Sequence, residues 1–219
     1  MKKIIAATAA AIVLSATAAQ AADEGVYARL DSGWSFSRDA GKDIDDDVGN
    51  SAIIGAGVGY RFNQHVRADV TLGYRGGYEI DTGFTQSGIN ANFKGDVSAL
   101  TGMANVYVDV AKMGMFTPYV GGGIGFSRNK VDDVAVRTNA GVNGTLQGDT
   151  ETSFAWQLSA GVGIEVAPKW TIDVGYRYMD MGEAKSGDTI TVGGVSATGA
   201  TSKGDLRAHE IQAGIRYQF

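Results

Sequence analysis

Residues 154–166 alternate with a period of two. Phe154, Trp156, Leu158, Ala160, Val162, Ile164 and Val166 are apolar, whereas Ala155, Gln157, Ser159, Gly161, Gly163 and Glu165 between them are small or polar. A helix would scatter the two sets around its surface, but a strand places each on its own face. The same alternation recurs over about 25–36, 52–62, 65–77, 96–111, 117–128, 153–167, 169–182 and 205–219. Past residue 21 no segment shows a convincing 3.6-residue period. The pattern therefore predicts an all-β chain of eight strands.

The connections alternate too. Asn63-Gln64, residues 112–116 and Ala167-Pro168 are short, while 37–51, 78–95, 129–152 and 183–204 are long and rich in Gly, Ser, Thr, Asn and Asp. With an even strand count, this puts every long loop at one end and both termini at the other, the plan of an up-and-down outer-membrane barrel. A soluble sandwich gives no reason for such sorting.

The polar face decides which side meets lipid. It carries Gly55, Gly57, Gly59, Gly121, Gly123, Gly125, Gly161 and Gly163, together with Arg29, Asp31, Arg61, Arg67, Asp69, Arg75, Asp109, Glu165, Asp173, Arg177, Glu210 and Arg216. Glycine and charge do not make a hydrocarbon core, so this face lines the lumen and the apolar face points outward. Closure is then obligatory, because an open sheet edge in hydrocarbon leaves backbone groups unpaired at several kcal/mol each. The expected fold is an eight-stranded antiparallel up-and-down transmembrane β-barrel.

Aromatic residues on the outward face sort by strand end. Tyr60, Phe62, Trp170, Tyr217 and Phe219 fall at the short-turn ends, and Trp34, Phe36, Tyr74, Phe126, Phe154 and Trp156 fall toward the long loops. Two girdles, one at each interface, are expected.

Residues 1–21 read differently. Lys2 and Lys3 precede an apolar stretch from Ile4 to Leu14, and Ala19-Gln20-Ala21 follows as an A-x-A site. This is the form of a secretory signal peptide, too short in its apolar run for a spanning helix. Cleavage after Ala21 leaves residues 22–219 as one barrel domain, with 17 basic against 24 acidic residues.

Composition narrows the chemistry. Cysteine is absent, which excludes disulfides, thiolate-bound metals and thiol catalysis. The formal charge of −5 gives no basic nucleic-acid footprint. Glycine, at 32 of 219 residues, leaves luminal room for long arginines and for Tyr27, Tyr107 and Tyr119. An eight-stranded barrel is just wide enough for side chains to fill it. The twelve luminal charges are thus expected to pair into a network that blocks the lumen. A narrow ion path lined by the same charges stays open as an alternative.

The opening GVYARLDSGWSFS (25–37), the segment TPYVGGGIGFSR (117–128) and the ending EIQAGIRYQF (210–219) resemble the OmpA-like, opacity-protein-type eight-stranded barrels. More narrowly, they are similar to small porin-family surface antigens of alphaproteobacteria. The resemblance covers nearly all of residues 22–219. It implies an outer-membrane location, contact with lipid and lipopolysaccharide, and a C-terminal strand ending in Tyr217 and Phe219 that the barrel-assembly machinery reads. The sequence ends at Phe219, so the peptidoglycan-binding domain of full-length OmpA proteins is not carried over.

Several motifs fail on inspection. Gly121 to Gly125 lacks GxGxxG spacing and precedes no helix, so nothing receives a phosphate. Ser127-Arg128-Asn129-Lys130 matches S-x-x-K without the companion elements. Asp43, Asp45, Asp46 and Asp47 form an acidic loop, but Val48 and Ile54 stand where a calcium loop needs Gly and Glu. His65 lies at a short turn. His209 faces outward near a long-loop end, with Ile211 where a deacylase-like His-x-Ser would need serine. Arg207 stands beside it, within reach of a lipopolysaccharide phosphate. No catalytic, cofactor or metal site is expected.

Three functions remain: an envelope barrel that displays its four long loops as a surface antigen, a narrow channel for ions or small solutes, and an adhesin. Loops of this length without a pattern of their own are often functional, so any host or surface ligand is expected at 37–51, 78–95, 129–152 and 183–204. Val131, Val134, Val136, Ile190, Val192 and Val195 hint at hairpins above the membrane.

Overall fold

The computed structural model describes residues 24–39, 50–86, 89–138, 143–185, 189–192, 195–198 and 203–219. The proposed signal segment 1–21 and the acidic loop around Asp43–Asp47 lie outside them. Twelve strands form one antiparallel sheet: β1 (Gly25–Asp39), β2 (Asn50–Arg61), β3 (Val66–Gln86), β4 (Ile89–Asp109), β5 (Phe116–Val131), β6 (Val134–Thr138), β7 (Asn143–Leu146), β8 (Thr150–Ala167), β9 (Trp170–Lys185), β10 (Thr189–Val192), β11 (Val195–Thr198) and β12 (Lys203–Gln218).

Eight of these close the barrel in the order β1-β2-β3-β4-β5-β8-β9-β12, and β12 pairs back onto β1. The closing register runs from Tyr27 opposite Gln218 to Asp39 opposite Leu206. These are the eight strands the alternation predicts. Their outward faces carry Leu30, Ile54, Leu72, Val106, Ile124, Leu158, Val174 and Ile211, all exposed, while their inward neighbours are buried or half-buried. In water such a surface would aggregate; in a bilayer it is solvated.

The segments expected as long loops depart from expectation. Residues 78–86 and 89–95 belong to β3 and β4, which run 21 residues each. A tilted strand crosses hydrocarbon in about 9–11 residues, so these two stand well above it. Their exit from the barrel wall is marked at Gly76-Gly77. The β2–β3 register stops at Ala52 opposite Gly76, and the β3–β4 register slips between Arg75 and Tyr78. Gly77 takes φ +80°, which suits glycine and lets the strand bend away.

Residues 129–152 and 183–204 carry two further hairpins, β6–β7 and β10–β11. They do not stand alone. β6 pairs with the upper part of β4 (Ala91 opposite Thr138), and β7 pairs with β10 (Gly144 opposite Val192). The upper β3–β4 hairpin and the two added ones thus make one continuous sheet beyond the barrel wall.

The short connections match expectation. Asn63 Oδ1 accepts the backbone N–H of His65 and Val66 at 2.8 and 2.9 Å, closing the β2–β3 turn. Pro168-Lys169 joins β8 to β9, with Lys169 at φ 69°.

The aromatic girdles follow the two ends. Tyr60 and Phe62 stack at 5.2 Å, Trp170 and Tyr217 at 4.7 Å, and Tyr217 and Phe219 at 5.2 Å at the short-turn end. Trp34, Phe36, Tyr74, Phe126 and Phe154 are exposed toward the other.

Leu158 lies mid-strand on the outer face and is 58% exposed. Leu158→Arg is expected to cost about 2–4 kcal/mol at the bilayer midplane, measured as a lower urea midpoint for refolding into lipid vesicles. Refolding like the parent protein would mean that the two faces are assigned the wrong way round.

Candidate functional site

The lumen is filled by side chains stacked from one end to the other. At the short-turn end, Arg67 Nε donates to Asp109 Oδ1 at 3.1 Å, and Arg61 Nη2 lies 3.9 Å from Asp109 Oδ2. Arg216 Nη2 donates to Asp173 Oδ1 at 3.2 Å. The Arg67 guanidinium sits 4.3 Å from the ring centre of Tyr107 and 4.7 Å from that of Tyr119. It is fully buried, so these two π-faces supply stabilisation that water would otherwise give.

One layer up, Arg29 grips Asp31 through Nε at 2.9 Å and Nη2 at 2.7 Å, while its Nη1 donates to Asp69 and to the Tyr107 hydroxyl, both at 3.1 Å. Tyr27 donates its hydroxyl to Asp69 Oδ2 at 3.0 Å. Asn105 Nδ2 donates to Asp69 Oδ1 at 2.7 Å, and Gln157 Nε2 to Asn105 Oδ1 at 2.6 Å. Asp69 is therefore held by three donors from two other strands.

The third layer centres on Glu210, which has no exposed surface. Arg75 Nε donates to its Oε1 and Arg177 Nε to its Oε2, each at 2.5 Å. Ser35 adds a hydroxyl at 3.3 Å. Arg75 also donates to Thr101 Oγ1 at 3.0 Å. One carboxylate on the last strand thus joins guanidiniums from β3 and β9.

Above this layer the lumen turns apolar. Ala99, Met103, Ala155, Met179, Met181, Leu206 and Ala208 form a buried cluster. This adds an apolar layer to an inner face expected to be mostly glycine and charge. The signal was present, since Met103, Met179, Met181, Leu206 and Ala208 share the inward parity of the charges. Asn105 and Gln157 were likewise missed, though they sit at inward positions between residues that were named. The cluster is capped by Asn129, whose Nδ2 donates to the carbonyls of Met181 and Glu183 at 2.9 and 3.0 Å.

Glycine keeps this packing possible. A Cβ at Gly59 would stand 2.4 Å from the Tyr27 ring, and one at Gly121 2.3 Å from Tyr107. Gly182 takes φ +69° at the β9 bulge opposite Leu206, where its N–H donates to Asp180 Oδ1 at 3.0 Å.

Of the twelve luminal charges named from sequence, eleven meet within these layers. Glu165 does not, because it lies exposed at the short-turn rim with Lys112 Nζ 2.8 Å away. The placement follows from its position near the end of β8, below the filled part of the lumen. Outside the barrel, Arg207 reaches Asp180 and Asp205, both at 3.1 Å, and His209 Nδ1 is hydrogen-bonded to the Tyr176 hydroxyl. His65 is exposed at the β2–β3 turn, at the opposite end from His209. Among the described residues, no group of three His, Asp or Glu side chains is placed to hold a metal.

Removing one partner of a dry buried ion pair costs about 3–5 kcal/mol. Glu210→Ala, which strands Arg75 and Arg177, is expected to lower the urea midpoint by an amount in that range. Asp31→Asn should cost less, because Arg29 keeps Asp69. Equal midpoints for Glu210→Ala and the parent would show that the stack adds nothing to stability.

Comparison with known proteins agrees with this architecture. Residues 6–219 match the family model described as outer membrane protein beta-barrel domain. An uncharacterized protein of Brucella abortus (strain 2308) is 31% identical over 195 residues, covering 77% of this chain and 68% of that one. A protein of Rickettsia rickettsii (strain Sheila Smith), provisionally named an adhesin, is 27% identical over 236 residues and the whole of both chains. Among solved structures, Neisserial surface protein A superposes with a TM-score of 0.59 at 20% identity, over 89% of this chain and 97% of that one. By its matched length and its closed lipid-facing sheet, this chain belongs to the outer-membrane β-barrel domain family and is an integral protein of the bacterial outer membrane.

Proposed function

We propose that this protein is a non-enzymatic surface-binding protein of adhesin type, in which a filled barrel anchors a strand-built platform outside the cell. The observation that carries this reading is the pairing between loops. β4 binds β6, β6 binds β7, β7 binds β10 and β10 binds β11, so three separate connections share one hydrogen-bonded sheet. Loops that merely covered the barrel would not need this order. A preordered surface loses less conformational freedom on binding a partner. The strands β7, β10 and β11 are also free of charge, reading NGTL, TITV and VSAT, and β11 forms the edge of the sheet. An uncharged edge of this kind is open to pairing with a partner's strand. The provisional adhesin name of the Rickettsia relative points the same way.

The envelope and surface-antigen reading is compatible with this one, since the same platform would be what the cell displays. The channel reading finds less support, because the Glu210 layer and the methionine cluster occupy the lumen where a path would run. Three accessory roles belong to the proposal. Residues 1–21 direct export and are removed. Tyr217 and Phe219, stacked at the end of the last strand, form the signal read by the barrel-assembly machinery. The Arg207–His209 belt meets lipopolysaccharide at the outer interface.

Cells displaying a chain without 134–146 and 189–198 should lose attachment to host cells or immobilised matrix, while the protein keeps its heat-dependent shift in gel mobility. Undiminished attachment would remove the platform from the mechanism. In planar bilayers the refolded protein should be silent. Steady single-channel steps that change on Arg177→Gln would establish a channel instead.

A further inference from the structure

The short-turn end of the lumen holds more cationic donors than the protein satisfies. Arg61, Arg67 and Arg216 share only two carboxylates, Asp109 and Asp173. Among the described residues, Arg61 Nε, Arg67 Nη1 and Nη2, and Arg216 Nε and Nη1 are buried with no protein acceptor. Arg216 is only 4% exposed. An unpaired buried N–H of a charged group is costly, so this concentration of them calls for an acceptor.

A cavity of about 180 Å³ lies against Arg61 and Arg216, walled also by Asp109, Thr117, Gly163 and Thr171. It opens past the β2–β3 and β4–β5 turns, where Gln64, His65 and Lys112 stand at the mouth. Lys112 and Glu165 neutralise one another at the rim. In the surrounding layer, the guanidiniums of Arg61, Arg67 and Arg216 against the carboxylates of Asp109 and Asp173 leave one positive charge over. Gly163 holds part of the wall open, since a Cβ there would stand 3.3 Å from Arg216 Nη2 and 3.1 Å from Asp173 Oδ1.

We propose that this cavity binds one small soluble oxyanion of the phosphate or sulfate class. Such an ion supplies acceptors in several directions, which suits donors on separate arginines. It also cancels the charge left over in a site away from bulk water. The volume accommodates a tetrahedral oxyanion with attendant water. A halide would offer one centre and leave most of the space to solvent. The two carboxylates do not make this a cation site, because each already accepts from a guanidinium. The cavity opens at the short-turn end, opposite the loop-built sheet, so the anion comes from the periplasm and not from the extracellular surface.

The test uses the protein folded in a phosphate-free maltoside detergent, with ionic strength held constant by potassium gluconate. Inorganic phosphate is titrated and its phosphorus resonance followed. The expected result is saturable broadening. Arg61→Gln should weaken apparent affinity by about tenfold, the loss of a charge-assisted bond. Arg61 lies at the half-exposed mouth, so this variant is expected to fold even where Arg216→Gln does not. Lys130→Gln, at the other end of β5, should leave the titration unchanged. No saturable response, or the same response in Arg61→Gln, overturns the site. Chloride that competes as well as sulfate overturns the assignment to oxyanions.

Discussion

The molecule depends on one constraint: in hydrocarbon, every backbone N–H and C=O must find a partner within the protein. The β1–β12 pairing meets it by removing the last two edges. Once the sheet closes with eight strands, the diameter is fixed, and the inside has room for side chains but little else. The rest follows from that narrowness. Outward positions take any apolar residue lipid will solvate. Inward positions are filled and their charges paired except at the short-turn end, where a cavity and unpaired guanidinium groups remain. The chain answers with small residues beside large ones, such as Gly59 beside Tyr27 and Gly121 beside Tyr107.

Within the lumen the polarity changes along the axis. The layers from the short-turn end up to Glu210 are built from arginine, carboxylate and tyrosine, and the layer beyond from methionine and alanine. The charged layers fix strand register, since Asp69, Asp109 and Glu210 each meet partners from two or more other strands. Glu210 and Asp69 in particular accept from residues far apart in sequence. The methionine layer is deformable and fills space that no charge would occupy cheaply. A barrel with this interior is a rigid support, and its variable chemistry lies above the membrane.

Much of this was legible in the sequence because a strand in a closed barrel has only two environments. The run from Phe154 to Val166 reveals its facing without any partner, and the charges on the opposite parity identify the lumen. The boundaries of β1, β2, β5 and β8 fall within a few residues of the alternation. What the sequence concealed lies where a strand has no lipid on either side. Above the membrane, the upper halves of β3 and β4 lose the apolar face that gives alternation its meaning, so YEIDTGFTQ reads as a loop. The valines of 129–152 and 183–204 betray hairpins, but nothing local says that β7 will choose β10. The methionine cluster was hidden for the opposite reason, because an apolar residue on the polar parity looks like noise until several share one level.

The closing pair also sets an order of events. β1 and β12 come from opposite ends of the chain, so the cylinder cannot form until the last residues have been delivered. Glu210 belongs to that final strand, and Arg75 and Arg177 receive their shared carboxylate only when it docks. Every earlier stage therefore carries an open, sticky edge together with mismatched interior charge, and contacts spanning nearly the whole chain are slow to form. Such a protein is held back from completion by its own topology, because its first and last strands must meet before either edge is satisfied.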